Sequence, residues 1–171
     1  MSGFEYALQQ AIYNRLAVPY PSQSLSLDFG NQVYLAREGD GYEQYVADFD
    51  ALHNIVTGVY DNTPQEIDSG ASSAFPYVTI GDDTHNDWST DTSLGDDATI
   101  TIHCWSRYRG RAEVKEIQGY VYGILARAEL SVSGFHFVTC EFLDSQSFVD
   151  TDGLTRHGVQ TFRVILDESE T

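Results

Sequence analysis

The sequence is poor in cysteine, and it lacks a long apolar run. Its two cysteines, Cys104 and Cys140, lie in strand-like segments, which favours buried thiols over a disulfide framework. Nowhere do about 18 apolar residues follow one another, as a membrane-spanning helix would need. Glu5 and Arg15 interrupt the first apolar segment, which is not typical of a signal peptide. These absences predict cytoplasmic synthesis without export.

Basic residues are scarce as well. The chain has 9 Lys+Arg against 26 Asp+Glu, a formal net charge of −17. Proteins that wrap nucleic acid need the opposite sign, because they neutralise phosphates. An acidic surface can still lie beside DNA and repel it, which is useful where DNA must pass without sticking.

The length and composition predict one domain over residues 1–171. With 42% hydrophobic residues, a chain of this size can bury a core without a metal, a disulfide or a cofactor. Apolar residues at helical spacing predict a helix over the first 16 residues and another from Ala112 onward. The first set is Phe4, Ala7, Leu8, Ala11, Ile12 and Leu16, and the second is Val114, Ile117, Val121, Ile124, Leu125 and Ala128.

Alternating and short apolar runs predict the strands. Residues 98–105 alternate most clearly, and further strands are expected over 77–80, closed by Gly81, and over 135–142, 146–149 and 156–166. A Pro- and Gly-rich segment at about 19–54, with short runs at 32–36 and 42–49, is interpreted as an inserted β-hairpin. The fold class predicted is α+β, an antiparallel or mixed sheet with two main helices packed on one side.

Residues 82–97 are rich in aspartate, which favours a solvated loop. The six acidic residues are Asp82, Asp83, Asp87, Asp91, Asp96 and Asp97. Asp82, Asp83 and Asp87 with His85 could together offer ligands to a metal ion, but their spacing matches no calcium-loop or zinc pattern. The alternative interpretation is a charged surface loop.

Catalytic arrangements are not evident. His103 and Cys104 are neighbours on a strand and point to opposite faces. Cys140 could meet His136 or His157 across strands, although a buried structural thiol is commoner. No phosphate-binding glycine loop or nucleophile elbow is present. We therefore expect that the protein is not an enzyme. The alternative is a metal-dependent hydrolase that uses His85 and nearby aspartates.

Arg107, Arg109 and Arg111 form a basic cluster where the clearest strand meets the second predicted helix. In an isolated domain these arginines would pair with the chain's own loops. In an oligomer they could meet the acidic loop of a neighbouring copy and bridge subunits.

Several segments, taken in order, carry a resemblance to a known family. They are Val59-Tyr60-Asp61-Asn62 with Pro64, Phe75-Pro76-Tyr77-Val78-Thr79-Ile80-Gly81, Ile102-His103-Cys104-Trp105-Ser106-Arg107, and Arg156-His157-Gly158-Val159-Gln160-Thr161-Phe162-Arg163-Val164. Their order and spacing resemble the tail-completion (tail terminator, tail-to-head joining) family of long-tailed bacteriophages. The segment at about 19–54 and the Asp-rich stretch depart from the usual pattern.

The resemblance implies a virion protein of the tail or neck that forms a hexameric ring. Such a ring caps the head-proximal end of the tail tube, stops tube polymerisation and joins the tail to the head. The implied partners are sister copies, the tail tube protein and a head-completion or connector protein, with DNA passing through. We further hypothesise that part of 82–97, or of the inserted segment, lines or rims the channel. Another neck or tail component with a similar fold is the alternative.

Overall fold

The computed structural model describes residues 2–18, 40–63, 72–126 and 128–168. The helices are α1 (Ser2–Ala17), α2 (Asp40–Ile55) and α3 (Ala112–Leu125), with a short 3-10 turn at Ser72–Ala74. The strands are β1 (Val59–Tyr60), β2 (Tyr77–Asp87), β3 (Gly95–Ser106), β4 (His136–Val149) and β5 (Arg156–Asp167). None of the helices in these ranges is long and apolar enough to cross a membrane.

The five strands form one open, mixed sheet in the order β1-β2-β3-β5-β4. The two-residue strand β1 runs parallel to β2, and every other neighbouring pair is antiparallel. Helix α3 packs on β3, β4 and β5, whereas α1 packs on β1 and β2. The predicted α+β class with a mixed sheet is therefore confirmed.

The core lies between the helices and one face of the sheet. On β3, Ala98, Ile100, Ile102 and Cys104 are all at most 1% exposed, and the residues between them are half-buried. This is the alternation expected of a strand with one covered face. All the apolar residues that predicted α1 and α3 are buried too. Burial of each large apolar side chain contributes roughly 1.5–3 kcal/mol, so this layer supplies most of the stability.

Helix α2 corrects one prediction. Residues 42–49 were expected to form a strand of an inserted hairpin, but they belong to a helix that packs against α3. Tyr45, Phe49 and Leu52 are buried, and their spacing of four and three residues places them on one helical face. The run 32–36 lies outside the described residues. The single domain and the insertion boundaries at about 19–54 stay predictions.

The acidic stretch corrects a second prediction. It is not a loop, because β2 continues past Gly81 to Asp87 and β3 begins at Gly95, so only residues 88–94 connect the strands. The pairing shifts register between Ile80 and Asp83, and beyond the shift most β2 side chains are exposed. Backbone pairing holds this region without an apolar face, so hydrophobic alternation could not reveal it.

Strand β4 is also longer than expected. The two runs 135–142 and 146–149 are parts of one continuous strand, which shifts register against β5 at two points. The residues between the two runs are Leu143, Asp144 and Ser145, and all three are exposed, with one of the register shifts at Leu143. The pattern in the middle of this strand is therefore that of a surface segment.

Candidate functional site

The distal part of the β2–β3 hairpin, residues 82–97, is called the acidic arm. Within it, His85 lies between two carboxylates: Nδ1 is 2.5 Å from Asp96 Oδ2, and Nε2 is 3.0 Å from Asp83 Oδ2. Burial disfavours the charged imidazole, but the two carboxylate hydrogen bonds outweigh it and raise the pKa of His85. Asp96 is only 5% exposed, so its hydrogen bond with His85 connects the two strands of the arm on their buried side.

Two further aspartates of the acidic arm are also engaged within the chain. Arg163 on β5 donates to both carboxylate oxygens of Asp97, at 2.8 and 2.7 Å, and these hydrogen bonds lower the pKa of Asp97. Asp87 accepts hydrogen bonds from the backbone and hydroxyl of Ser89. Two of the six aspartates, Asp82 and Asp91, differ from the others: their carboxylates contact no hydrogen-bond donor in the described part of the chain.

The arrangement does not resemble a metal centre. Both imidazole nitrogens of His85 are already hydrogen-bonded to carboxylates. Across the ranges that the structure describes, no cluster of three or more His, Cys, Asp or Glu side chains is placed to hold a metal ion. The structure therefore gives no geometric support to the metal-site hypothesis built on Asp82, Asp83, His85 and Asp87.

The basic cluster lies at the opposite end of β3. The loop of residues 107–111 is called the arginine loop, and its three arginines differ in environment. The guanidinium of Arg107 stacks over the ring of Phe75 at 4.4 Å and its Nε approaches Thr155 Oγ1 at 3.5 Å. Arg109 and Arg111 are exposed, and neither forms an ion pair with any residue of the described ranges.

Local contacts fix the start of the arginine loop. The amide of Tyr108 donates to Ser106 Oγ at 3.0 Å, and that hydroxyl in turn donates to the carboxylate of Glu113 on α3. Gly110 has φ +116°, a conformation that favours glycine and turns the chain toward the helix. Arg109 and Arg111 therefore project from a loop anchored to both β3 and α3.

An aromatic row crosses the sheet face that the helices leave open. Trp105 stacks on His157 with ring centroids 3.8 Å apart, and Tyr77 and Phe148 continue the row at 6.0 Å from Trp105 and 4.8 Å from His157. The indole of Trp105 donates to Thr79 Oγ1 at 3.1 Å. Sequence reasoning missed this row because its members come from four strands, although the strand register would have revealed it.

A pair of histidines borders the aromatic row. His103 Nδ1 and His157 Nε2 are 2.7 Å apart. Burial, followed by the charge of His103, lowers the pKa of His157 to about 4, and burial lowers the pKa of His103. The pair is therefore neutral at pH 7, with one ring donating to the other.

The two thiols are structural, as the sequence predicted. Cys104 and Cys140 are buried and unpaired, and burial raises the pKa of both, that of Cys140 to about 12. Cys140 lies opposite Val164, seven residues along β5 from His157, which is roughly 23 Å. His136 instead contacts Asp167 at 3.0 Å. Neither histidine can activate Cys140 as a nucleophile.

Comparison with known proteins adds to this geometry. The family model described as Tail completion protein gp17 matches residues 45–167. The tail completion protein gp17 of Bacillus phage SPP1 is 33% identical over 100 residues, which cover 58% of this chain and 74% of that protein.

A solved structure, the virion of a native gene transfer agent (GTA) particle, contains a chain of the same fold. The TM-score is 0.66 at 20% identity, with 98% of this chain and 99% of that chain covered. The family resemblance carried by the ordered sequence segments is confirmed. The protein therefore belongs to the tail completion protein gp17 family and is a structural protein of a phage tail, located in the virion.

Proposed function

We propose that copies of this chain form a closed ring, a hexamer, at the head-proximal end of the tail tube. There the ring stops tube polymerisation and joins the tail to the head. Its neighbours are the tail tube protein on one side and a head-completion or connector protein on the other. Membership of a structural tail family supports a role in assembly without chemistry of its own.

The observation that carries this proposal is the separation of charge within one sheet. Arg109 and Arg111 project beyond one end of β3, whereas exposed carboxylates lie on other parts of the sheet, namely the acidic arm and strand β4. A subunit that presents two different, complementary surfaces makes head-to-tail contacts, and such contacts close into rings when the rotation between copies allows it. The arginines then bridge subunits.

The charge of the assembly supports a passage for DNA. Six copies at −17 each would bring a charge of about −100. Phosphates would be repelled from an acidic channel and would pass without adhering. We place part of the acidic arm, including Asp82 and Asp91, at the lumen or rim, because these carboxylates have no partner among the described residues. A ring structure with the arm on its outer wall, away from neighbouring copies, would contradict this placement.

Two experiments test the proposal. Native mass spectrometry of the purified chain should give one closed oligomer of six subunits, and a monomer at high concentration would overturn the ring. Assembly without this chain should give tails of abnormal length, or heads to which no tail is attached. Tails of normal length on filled heads would overturn the role in tail completion. Normal-length tails detached from heads would instead indicate another component of the neck.

A further inference from the structure

We propose that Arg109 and Arg111 of one copy dock on the outer surface of β4 in the next copy. This surface, called the β4 surface, comprises Glu141, Asp144 and Phe148, and the exposed Leu143 lies beside it at the register shift. The inference rests on the proposed ring and names the contact that builds it. It also assigns the acidic partner of the arginine loop to β4 instead of the acidic arm.

Strand β4 is the outermost strand of the sheet. One edge pairs with β5 over the whole strand, and the other edge pairs with no described residue. Proteins usually protect such an edge with lysine, proline or a covering element. The strand contains neither lysine nor proline, and Leu143 and Phe148 are 49% and 41% exposed. A long edge of this composition is typical of a surface that binds another chain.

The β4 surface also carries two carboxylates. Glu141 and Asp144 lie opposite Arg163 and Thr161 of β5. Because those two residues alternate with the buried Phe162 and its neighbours, both carboxylates face away from the helices. Glu141 is 55% exposed and reaches Arg163 only at 3.8 Å. Asp144 is exposed and has no hydrogen bond or ion pair within the described ranges.

The arginine loop is complementary to the β4 surface in charge and in apolar character. Arg109 and Arg111 supply the cations, and Tyr108 between the loop's arginines is 55% exposed. Guanidinium groups suit carboxylates because they can donate two parallel hydrogen bonds. Tyrosine and arginine are also the side chains most enriched at the centres of protein interfaces.

The arginine loop of the same copy cannot reach the carboxylates of the β4 surface. Ser106 at the start of the loop lies opposite Arg156, whereas Asp144 lies opposite Thr161, five residues further along β5. Five residues of strand span roughly 17 Å, so the loop and the carboxylate are too far apart within one chain. A second copy must therefore supply the arginines.

Most carboxylates of the acidic arm are already engaged, and the two unpaired ones, Asp82 and Asp91, are placed at the lumen or rim in the ring proposed above. Asp83 and Asp96 are bonded to His85, and Asp97 is bonded to Arg163. Pairing an incoming arginine with any of these carboxylates would break a contact already present. On the β4 surface, Asp144 could pair with an incoming arginine without breaking any contact, and Glu141 would lose only its long contact with Arg163.

Charge reversal and charge exchange test the proposal directly. We expect Asp144→Arg and Arg109→Glu each to raise the concentration for half-dissociation of the ring at least tenfold in native mass spectrometry and size exclusion. The double variant, which exchanges the two charges, should recover at least part of the loss. Asp91→Arg is the matched control, since it makes the same charge change on an exposed carboxylate of the arm, and it should assemble like the unmodified chain. Circular dichroism and urea unfolding of each variant separate a failed contact from a failed fold.

The outcomes distinguish this contact from the ring itself. If Asp144→Arg assembles normally while Arg109→Glu does not, the arginine loop has another acceptor and the β4 proposal is wrong, although the ring stands. Folded single variants that both fail, with no recovery in the double variant, also contradict a direct pairing. If the unmodified chain is a monomer at high concentration, the ring fails before the contact is tested.

Discussion

The two ends of the β2–β3 hairpin surround histidines with opposite environments, His85 on β2 itself and His157 on the neighbouring β5. In the acidic arm, His85 lies between the carboxylates of Asp83 and Asp96, and its pKa is raised. Near the other end, His157 lies against Trp105 and His103, and its pKa is lowered to about 4. One end holds a histidine between two carboxylates, and the other holds a histidine within a stack of aromatic rings.

The same division separates the core half of the hairpin from the arm. Between Tyr77 and Ile80, the residues of β2 are buried, whereas Thr84 and Asn86 are exposed. A strand pair with few buried apolar contacts opens locally at lower free energy than the core does. We infer that the arm is the more easily opened part of the sheet, whereas the half of the hairpin that includes residues 77–80 stays packed against the helices.

The largest expected effect tests this division. We expect Ile102→Ala to lower the free energy of unfolding by about 2–5 kcal/mol, because it removes fully buried carbon atoms and leaves a cavity. Urea denaturation measures this change. Thr84→Ala on the exposed face of the arm is the control, with an expected change within about 0.5 kcal/mol. Equal losses in the two variants would show that the arm is packed as firmly as the core.

The second prediction concerns the neutral end. The folded chain keeps His157 deprotonated down to about pH 4, whereas the unfolded chain takes up a proton near the ordinary value of 6.5. Stability should therefore fall as the pH falls from 6.5 toward 4. We expect a loss of about 1–2 kcal/mol after allowance for solvent screening of this half-buried ring. Urea denaturation at several pH values measures it.

His157→Gln isolates this contribution. The variant removes the titrating group, so its unfolding free energy should vary less between pH 6.5 and 4 than that of the unmodified chain. The titratable groups that face His157 are His103 and Asp150, and burial also lowers the pKa of His103. A variant with an unchanged pH dependence would assign the effect to His103 or to other groups.

The acidic arm should respond in the opposite direction. Because the pKa of His85 is raised, its stabilising contribution is fully present below 6.5 and is lost as the pH rises through the folded-state pKa. We expect His85→Gln to be destabilised by about 1 kcal/mol at pH 6 and by less at pH 9. Amide hydrogen exchange of residues 83–86 and 96–99 should accelerate in the variant at pH 6. A larger deficit at pH 9 would contradict the raised pKa.

The difference between the two halves also explains which parts of the fold the sequence could predict. Helices α1 and α3 and strand β3 bury one face against the core, so the spacing of Leu8, Ile117 and Ile102 with their neighbours revealed them. The distal half of β2 is mostly exposed and buries no apolar side chain, so it carries no such pattern. Helix α2 was missed because the residues around Tyr45 and Phe49 fit a short alternating run as well as a helix.

The candidate surfaces were partly predictable for a similar reason. The cluster of Arg107, Arg109 and Arg111 is visible in a chain so poor in basic residues. That Arg107 packs on Phe75 while the other two project depends on tertiary contacts. The ion pairs of the arm, such as Arg163 with Asp97, join residues far apart in the chain. Composition could predict an acidic region but not which of its carboxylates are already paired.

The smallest expected effect concerns the pair between Asp97 and Arg163. These side chains are 25% and 35% exposed, and their two hydrogen bonds join the arm to β5. We expect Asp97→Asn to cost about 0.5 kcal/mol or less near pH 7, because a solvent-screened ion pair contributes little. The pKa of Asp97 is lowered, so its contribution should disappear as the pH falls below about 3.8.

Salt dependence provides the control for this last prediction. In about 1 M NaCl the difference between Asp97→Asn and the unmodified chain should shrink, because the Debye length falls to roughly 3 Å. Asp91→Asn removes an arm carboxylate that has no partner in the described ranges, so it should show no such dependence. If Asp97→Asn instead cost as much as Ile102→Ala, the arm would be a cooperative part of the core, and its separation from the packed half of the sheet would be wrong.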